Sequence, residues 1–155
     1  MLYFITVFLF VFVCPAASVG IGALRGHDSI TDPFLIARWW TFWAAGVRLF
    51  LAGIRQVVQP RFTAEQIFEL HDPSVLPLIR EIGFGNLSMG AIAICSQFHL
   101  SWVTPAAIAG GLYYGLAALG HIPQKNKNAK EYTAMVSDIF ACLMLLVFAI
   151  RSAAS

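Results

Sequence analysis

Apolar residues fill most of this chain in five long stretches that are separated by short polar connectors. A helix needs about 20 apolar residues to cross a bilayer at a rise of 1.5 Å per residue, and each stretch is close to that length. The pattern therefore predicts an all-α membrane bundle in a single domain that covers residues 1–155. The predicted spans are at about 2–23, 34–58, 74–97, 104–121 and 132–150.

The first stretch, Met1 to Leu24, carries no charged side chain. The small residues Ala16-Ala17-Ser18 resemble a signal-peptide cleavage site, but the positively charged segment that precedes the apolar core of such a peptide is absent. A retained first span is therefore predicted. Pro15 is expected to kink this helix or to lie near its end, because proline cannot make the helical backbone hydrogen bond.

The segment from Gln59 to Asp72 departs from the apolar pattern. Thr63 and Gln66 have the spacing of a capping box, which predicts that a short helix starts there. About ten residues cannot cross a bilayer, so this helix is expected to lie at the membrane interface.

Tryptophan concentrates where a span meets the membrane surface. Trp39, Trp40, Trp43 and Trp102 all fall near the same predicted interface and are expected to act as interfacial anchors.

Loop charge predicts the orientation of the five spans. The side that holds the N-terminus and the loops after spans two and four carries six Lys or Arg residues, and the opposite side carries three. Because cytoplasmic loops are enriched in basic residues, the N-terminus and the loop at 124–130 are predicted to be cytoplasmic and the C-terminus to lie outside.

Composition agrees with a multi-pass protein whose partner is the lipid bilayer. Hydrophobic residues make up 59% of the chain and charged residues 12%, against averages of about 45–50% and 25% in soluble domains. The net charge of +2 and the lack of a basic patch argue against nucleic-acid binding. The three cysteines lie in apolar runs without a CxxC pair, so packing is the favoured interpretation and no metal site is predicted.

Polar residues inside the apolar stretches are the candidate site. The run from Ile82 to Gln124 contains no charged residue, yet a carboxylate stands at its head and an asparagine follows among glycines. Polar groups are expensive in hydrocarbon, so they usually face protein or water and mark a site. Threading the predicted helices brings such groups to one depth, which predicts a common pocket formed by Glu81, Asn86, His121 and Asp138, with Arg48 or Arg55 as the countercharge.

Each of these residues also has a purely structural interpretation. An arginine paired with Asp138 or Glu81 would hold two helices together without binding anything. His121 stands at a predicted helix end, where a histidine favours the helix dipole. A metal site formed by Glu81, His121 and Asp138 is a weak alternative, since there is one histidine and no spacing motif.

Small residues recur every four positions in the fourth span, at Ala107, Gly111 and Gly115. Such a stripe lets helices approach closely. It is expected to pack against another membrane subunit or a second copy of the chain, or alternatively inside the same bundle.

The motif Glu81-Ile-Gly-Phe-Gly-Asn-Leu-Ser-Met-Gly90, with Ala64-x-x-Ile67 before it and Gly120-His121-Ile122 after it, resembles a family of small uncharacterised prokaryotic integral membrane proteins. That family's pattern is Glu-Val-Gly-Phe-Ala-Asn-Leu-Gly-x-Gly, followed by Gly-His-Ile. The chain departs from it at Gly85 and Ser88, and it has Ile-Phe-Glu where the family has Ile-Gly-Trp. The resemblance covers residues 34–150 and implies a location in the prokaryotic inner membrane but no activity. More loosely, the helical plan resembles DoxX-like proteins, some of which are subunits of quinone-linked oxidoreductases.

Three functions are compatible with these observations. A non-catalytic subunit or assembly partner of a larger membrane complex comes first, because short loops leave little room for a catalytic apparatus. A protein that handles a small ligand, proton or ion through the polar pocket is the alternative. A DoxX-like redox component comes third, since no haem-ligand pair or flavin fingerprint is present. No catalytic residue is predicted, and no motif implies a cofactor.

Overall fold

The computed structural model describes residues 1–25, 29–123, 125 and 127–154. Helices account for nearly all of these residues, and no strand occurs among them. The α-helices are α1 Leu2–Phe8, α2 Cys14–Leu24, α3 Pro33–Trp40, α4 Leu49–Val58, α5 Pro60–Gln66, α6 Leu76–Cys95, α7 Val103–His121 and α8 Ala129–Ala154. π-Helical segments at Leu9–Val13 and Thr41–Arg48 join α1 to α2 and α3 to α4, and 3-10 turns at Pro73–Val75 and Leu100–Trp102 precede α6 and α7.

Within the described part of the chain, four helical stretches are long and apolar enough to cross a membrane. They are Tyr3–Leu24, Pro73–Cys95, Leu100–His121 and Ala129–Ala154, and they match the first, third, fourth and fifth predicted spans. The second predicted span is helical from residue 33 to 58 but is not among the four. Its three arginines (Arg38, Arg48 and Arg55) lower its hydropathy.

Pro15 does not end the first helix. It follows the π-helical segment Leu9–Val13 and is the second residue of α2. Proline has no N–H to donate to the carbonyl four residues earlier, which is that of Val11. The indole Nε1 of Trp40 donates to the Val11 oxygen instead, at 3.1 Å. A tryptophan of the next helical run thus satisfies a carbonyl that the proline leaves free.

The run from residue 33 to 58 begins at a strong cap. Asp32 accepts from the backbone N–H of Phe34 at 2.9 Å, and Pro33 occupies the first turn, as expected for a helix start. In its π-helical middle, the carbonyl of Ala44 accepts the hydroxyl of Tyr114. π-Helical turns are rare and often lie at functional sites; this one ends at Arg48.

This run packs on α6 with backbone against backbone. A Cβ atom added to Gly53 would lie 2.7 Å from the amide nitrogen of Leu87, and one added to Gly90 would lie 2.6 Å from that of Phe50. No side chain fits at either position, so these glycines allow the helices to approach closely.

The short helix after the second predicted span starts earlier than the capping-box spacing indicated. α5 begins at Pro60, because the backbone of Gln59 leaves the helical conformation (φ −130°, ψ 61°) and proline suits a first helical turn. Thr63 is therefore inside α5 and buried rather than at its cap. The end of α5 is held by Lys130, whose Nζ donates to the carbonyl of Gln66 at 3.0 Å.

The last helix also starts earlier than predicted, at Ala129 rather than at Tyr132. Asn128 Oδ1 accepts the backbone N–H of Glu131 at 3.0 Å, and Glu131 Oε2 accepts the N–H of Asn128 at 3.0 Å. This reciprocal capping box fixes the start of α8. The predicted C-terminal residue outside the membrane, Ser155, falls outside the described residues.

The small-residue stripe makes close contacts inside the chain. Ala107 is fully buried, and a Cβ atom on Gly111 would meet Leu146 at 2.7 Å. A Cβ atom on Gly115 would meet the sulfur of Cys142 at 2.9 Å. The stripe is therefore the contact between α7 and α8.

The four tryptophans do not form a uniform row of anchors. Trp40 is 8% exposed and belongs to the apolar core. Trp43 is partly buried and donates to the hydroxyl of Ser18 at 2.9 Å, while Trp39 lies against Arg38. Trp102 is 45% exposed and is therefore the one best placed for an interfacial role.

Asp72 lies in the connector before α6 and caps the turn that follows. The backbone N–H of Ser74 donates to its carboxylate at 2.9 Å, and this hydrogen bond lowers the pKa of Asp72 below its ordinary value.

Candidate ligand-binding site

Helical segments from every part of the chain meet around one partly open cavity of about 270 Å³. The start of α1, the second half of the 33–58 run, α5, the first half of α6, the end of α7 and the start of α8 all contribute to its wall. The polar members are Tyr3, Thr6, Arg48, Arg55, Gln56, Thr63, Asn86, Tyr113, Tyr114, His121 and Asp138. Phenylalanine and aliphatic side chains complete the lining.

An ion pair between two helices forms the centre of this wall. Arg48 Nη2 donates to Asp138 Oδ1 at 2.9 Å and to the hydroxyl of Ser137 at 3.1 Å. The guanidinium also lies 5.0 Å from the ring centroid of Tyr114. Asp138 is 6% exposed and the Arg48 side chain 14% exposed, so the two charges neutralise each other in a largely buried position.

Helical periodicity explains why these side chains share one face. On the 33–58 run, Arg48, Ala52, Arg55 and Gln56 are four, seven and eight residues apart, which is a single face of a helix. On α7, Ala117 and His121 follow Tyr114 by three and seven residues, which is again a single face. All seven line the cavity.

One nitrogen of the Arg48 guanidinium has no hydrogen-bond partner. Its Nη2 atom serves Asp138 and Ser137, whereas its Nη1 atom is buried and has no hydrogen-bond partner in the described part of the protein. A guanidinium normally binds carboxylates through both edges of its fork. Here the ion pair uses one edge.

Asn86 presents the complementary open atom. Its Nδ2 atom donates to Gln56 Oε1 at 2.7 Å, and the hydroxyl of Tyr113 lies close enough to interact with the same amide. Its Oδ1 atom is buried and accepts no hydrogen bond from the residues described, although the residue is only 3% exposed. Leaving a buried polar atom unpaired costs about 1–3 kcal/mol. The residues that line the cavity therefore include one buried donor and one buried acceptor without a hydrogen-bond partner.

Arg55 brings an unbalanced positive charge to the cavity. Its guanidinium carbon lies 3.4 Å from the ring centroid of Phe62 in α5. The one ion pair among the described residues is Arg48–Asp138, so Arg55 has no carboxylate counter-ion there. His121 lines the same cavity and is near enough to Asp138 to affect it electrostatically.

The structure brings together five of the six residues that the sequence singled out: Arg48, Arg55, Asn86, His121 and Asp138 all line the cavity. Glu81 does not. Its side chain is exposed and points away, because five residues of α-helix separate it from Asn86 by about 140° around the helix axis. Arg48, not Arg55, pairs with Asp138. The role of these residues in binding stays a prediction.

The position of Glu81 also removes the weak alternative of a metal site formed by Glu81, His121 and Asp138, because the first of these lies outside the cavity. The residues that do line it are suited to hydrogen bonding and charge pairing.

Sequence reasoning missed several cavity residues. Gln56 had a usable signal, since it lies eight residues after Arg48 on the same helical face. The tyrosines of the lining lie in apolar runs, and nothing in their local pattern distinguishes them. They are Tyr3, Tyr113 and Tyr114, the last of which is 2% exposed.

The model of a family of unknown function, DUF6790, matches residues 1–155, the whole chain. No curated protein and no solved structure matches the chain.

Proposed function

The chain belongs to DUF6790, a family of unknown function, and we propose that it is an integral membrane protein that binds a small ligand in the cavity around Arg48 and Asn86. The observation that carries this proposal is a pair of buried polar atoms without a hydrogen-bond partner, Arg48 Nη1 and Asn86 Oδ1, in two residues that line one cavity. A bound molecule would satisfy both. The volume of about 270 Å³ is just below the range of drug-sized ligand pockets, roughly 300–1,000 Å³, so a small ligand fits best.

The proposal includes membrane insertion with five spans, in the prokaryotic inner membrane. The run from residue 33 to 58, the second along the chain, is the span added to the four helical stretches. Its hydropathy is low, but its deepest arginine, Arg48, is paired with Asp138 in the bundle interior, which offsets much of the cost of placing a charge in the membrane. Its tight packing on α6 at Gly53 and Gly90 also supports a position inside the bundle.

The test compares two substitutions on the same helix. Ala117→Phe places a large side chain in the cavity lining, whereas Ala109→Phe places the same side chain at an exposed position of α7. Native mass spectrometry of the protein extracted from its own membranes should show a small bound mass in the wild type and in Ala109→Phe. That mass should be missing from Ala117→Phe.

Thermal unfolding of both variants checks that they fold. An unliganded wild type, or a bound mass that persists in a folded Ala117→Phe protein, would refute the proposal.

A non-catalytic subunit of a larger membrane complex is the second candidate. An apolar groove of about 470 Å³ along the outer face of α7 and α8, lined by leucine and isoleucine side chains and Gly115, is the observation that favours it. Ala107 and Gly111 of the small-residue stripe do not add to this evidence, since they are buried within the chain. Native size in mild detergent separates the two candidates, because a subunit should co-migrate with other chains. The quinone-linked interpretation has no support from the comparisons.

A further inference from the structure

The charges around the cavity do not balance. Arg48 and Asp138 neutralise each other at 2.9 Å, and Glu81, the carboxylate that would have balanced a second arginine, faces outward. Arg55 therefore leaves the lining with an excess positive charge. A charge in a mostly apolar bundle is costly unless it is paired, and a bound anion would pair it.

The hydrogen-bonding groups specify the same kind of ligand. Arg48 Nη1 can only donate, since a guanidinium has no acceptor, and it needs an oxygen such as that of a carboxylate or phosphate. Asn86 Oδ1 can only accept, so it needs a hydroxyl or amino group on the ligand. The lining between them includes six aromatic residues: Tyr3, Phe10, Phe62, Phe68, Tyr113 and Tyr114.

From this juxtaposition we infer that the cavity binds a small amphiphilic anion. Its carboxylate or phosphate group lies between Arg48 and Arg55, its apolar body lies against the aromatic side chains, and a hydroxyl or amino group reaches Asn86. The inference rests on the proposed function and narrows it to one ligand class. A free organic anion and the headgroup of an anionic lipid both have this chemistry.

The probe is octanoate, compared with octanamide, its neutral analogue of nearly the same shape. We expect the purified full-length protein in detergent to bind octanoate at least tenfold more tightly than octanamide, as measured by titration calorimetry. Arg55→Gln should weaken octanoate binding at least tenfold. Arg61→Gln removes the same charge from an exposed position outside the cavity and should leave the affinity unchanged.

Equal binding of octanoate and octanamide, or equal effects of Arg55→Gln and Arg61→Gln, would overturn the anion inference while leaving the proposed ligand cavity in place. Whether the cavity binds a ligand at all is tested separately, by the presence or absence of a bound mass in Ala117→Phe.

Competition identifies the source of the anion. Nanodiscs that contain phosphatidic acid should displace octanoate if the natural ligand is a lipid headgroup. Nanodiscs of phosphatidylcholine alone are the control. If neither displaces octanoate, the ligand is a soluble organic anion. Displacement by phosphatidylcholine to the same extent would contradict the requirement for an anion.

Discussion

Arg48 is the residue on which the interior of this bundle depends. It lies seven residues before Arg55, which places it about 10 Å further from the helix end at helical rise, too deep to reach water easily. The structure resolves this with Asp138 and Ser137, both on α8. In a membrane, the same ion pair would offset the cost of this arginine, and it leaves the Nη1 atom without a hydrogen-bond partner.

Replacing Asp138 by alanine should destabilise the protein strongly, because the guanidinium of Arg48 would remain buried without a counter-ion. Breaking one half of a buried pair costs about 3–5 kcal/mol in soluble proteins. The double variant Arg48→Gln/Asp138→Asn should lose less than the sum of its two single substitutions. Thermal unfolding in detergent, followed by tryptophan fluorescence, measures the stability of the wild type and of each variant.

Glu81→Ala is the matched control, since it removes an exposed carboxylate from a helix of the same bundle and should change the free energy of unfolding by no more than about 0.5 kcal/mol. Additive single substitutions, or a Glu81→Ala effect as large as that of Asp138→Ala, would contradict the assignment of Asp138 as the essential partner.

At the scale of elements, the sequence predicted the long helices well because their apolar runs end at strong signals. Pro73 marks one such boundary, whereas the cap at Asn128 was missed and the last helix was predicted to start three residues too late. The sequence did not predict the π-helical segments, since hydropathy is the same for α and π turns. The orientation of Glu81 was missed for another reason: a depth shared with Asn86 does not place both residues on one face, since five residues turn a helix to another face.

In the first helix, a distant tryptophan supplies a hydrogen bond that a proline cannot make. Pro15 leaves the carbonyl of Val11 without its usual donor, and Trp40 supplies the missing hydrogen bond at 3.1 Å. The proline and the tryptophan therefore act together at this carbonyl. Position 40 anchors the 33–58 run to the first helix rather than to the membrane surface.

This coupling predicts a double-mutant cycle. Trp40→Phe should destabilise the wild-type protein, because the Val11 carbonyl becomes a buried, unpaired acceptor, which costs about 1–3 kcal/mol. In a Pro15→Ala background, the restored N–H of residue 15 can bond that carbonyl, so the same substitution should cost about 1 kcal/mol less. The lost ring contacts are common to both backgrounds and cancel. Equal costs in chemical unfolding with and without Pro15 would show that the two residues act independently.

For the molecule as a whole, the polar cavity lies at one end of the bundle. The start of α1, the end of α4, α5, the end of α7 and the start of α8 all meet there. Three basic residues lie at the same end: Arg61 in α5, Lys127 in the loop before α8 and Lys130 in the first turn of α8. If loop charge orients the protein as expected, the cavity opens toward the cytoplasmic half of the membrane.

Single-cysteine labelling tests both whether the 33–58 run crosses the membrane and whether the protein has this orientation. In a background where Cys14, Cys95 and Cys142 are replaced by alanine, new cysteines are placed at the exposed positions Ser29, Arg61, Ser101 and Lys125. A membrane-impermeant maleimide added to spheroplasts should label positions 29 and 101. In inverted vesicles it should label positions 61 and 125, because the 33–58 run separates 29 from 61 and the basic loops face the cytoplasm. Labelling of 29 and 61 from the same side would show that this run does not cross. The inverse pattern at all four positions would keep five spans and reverse the orientation.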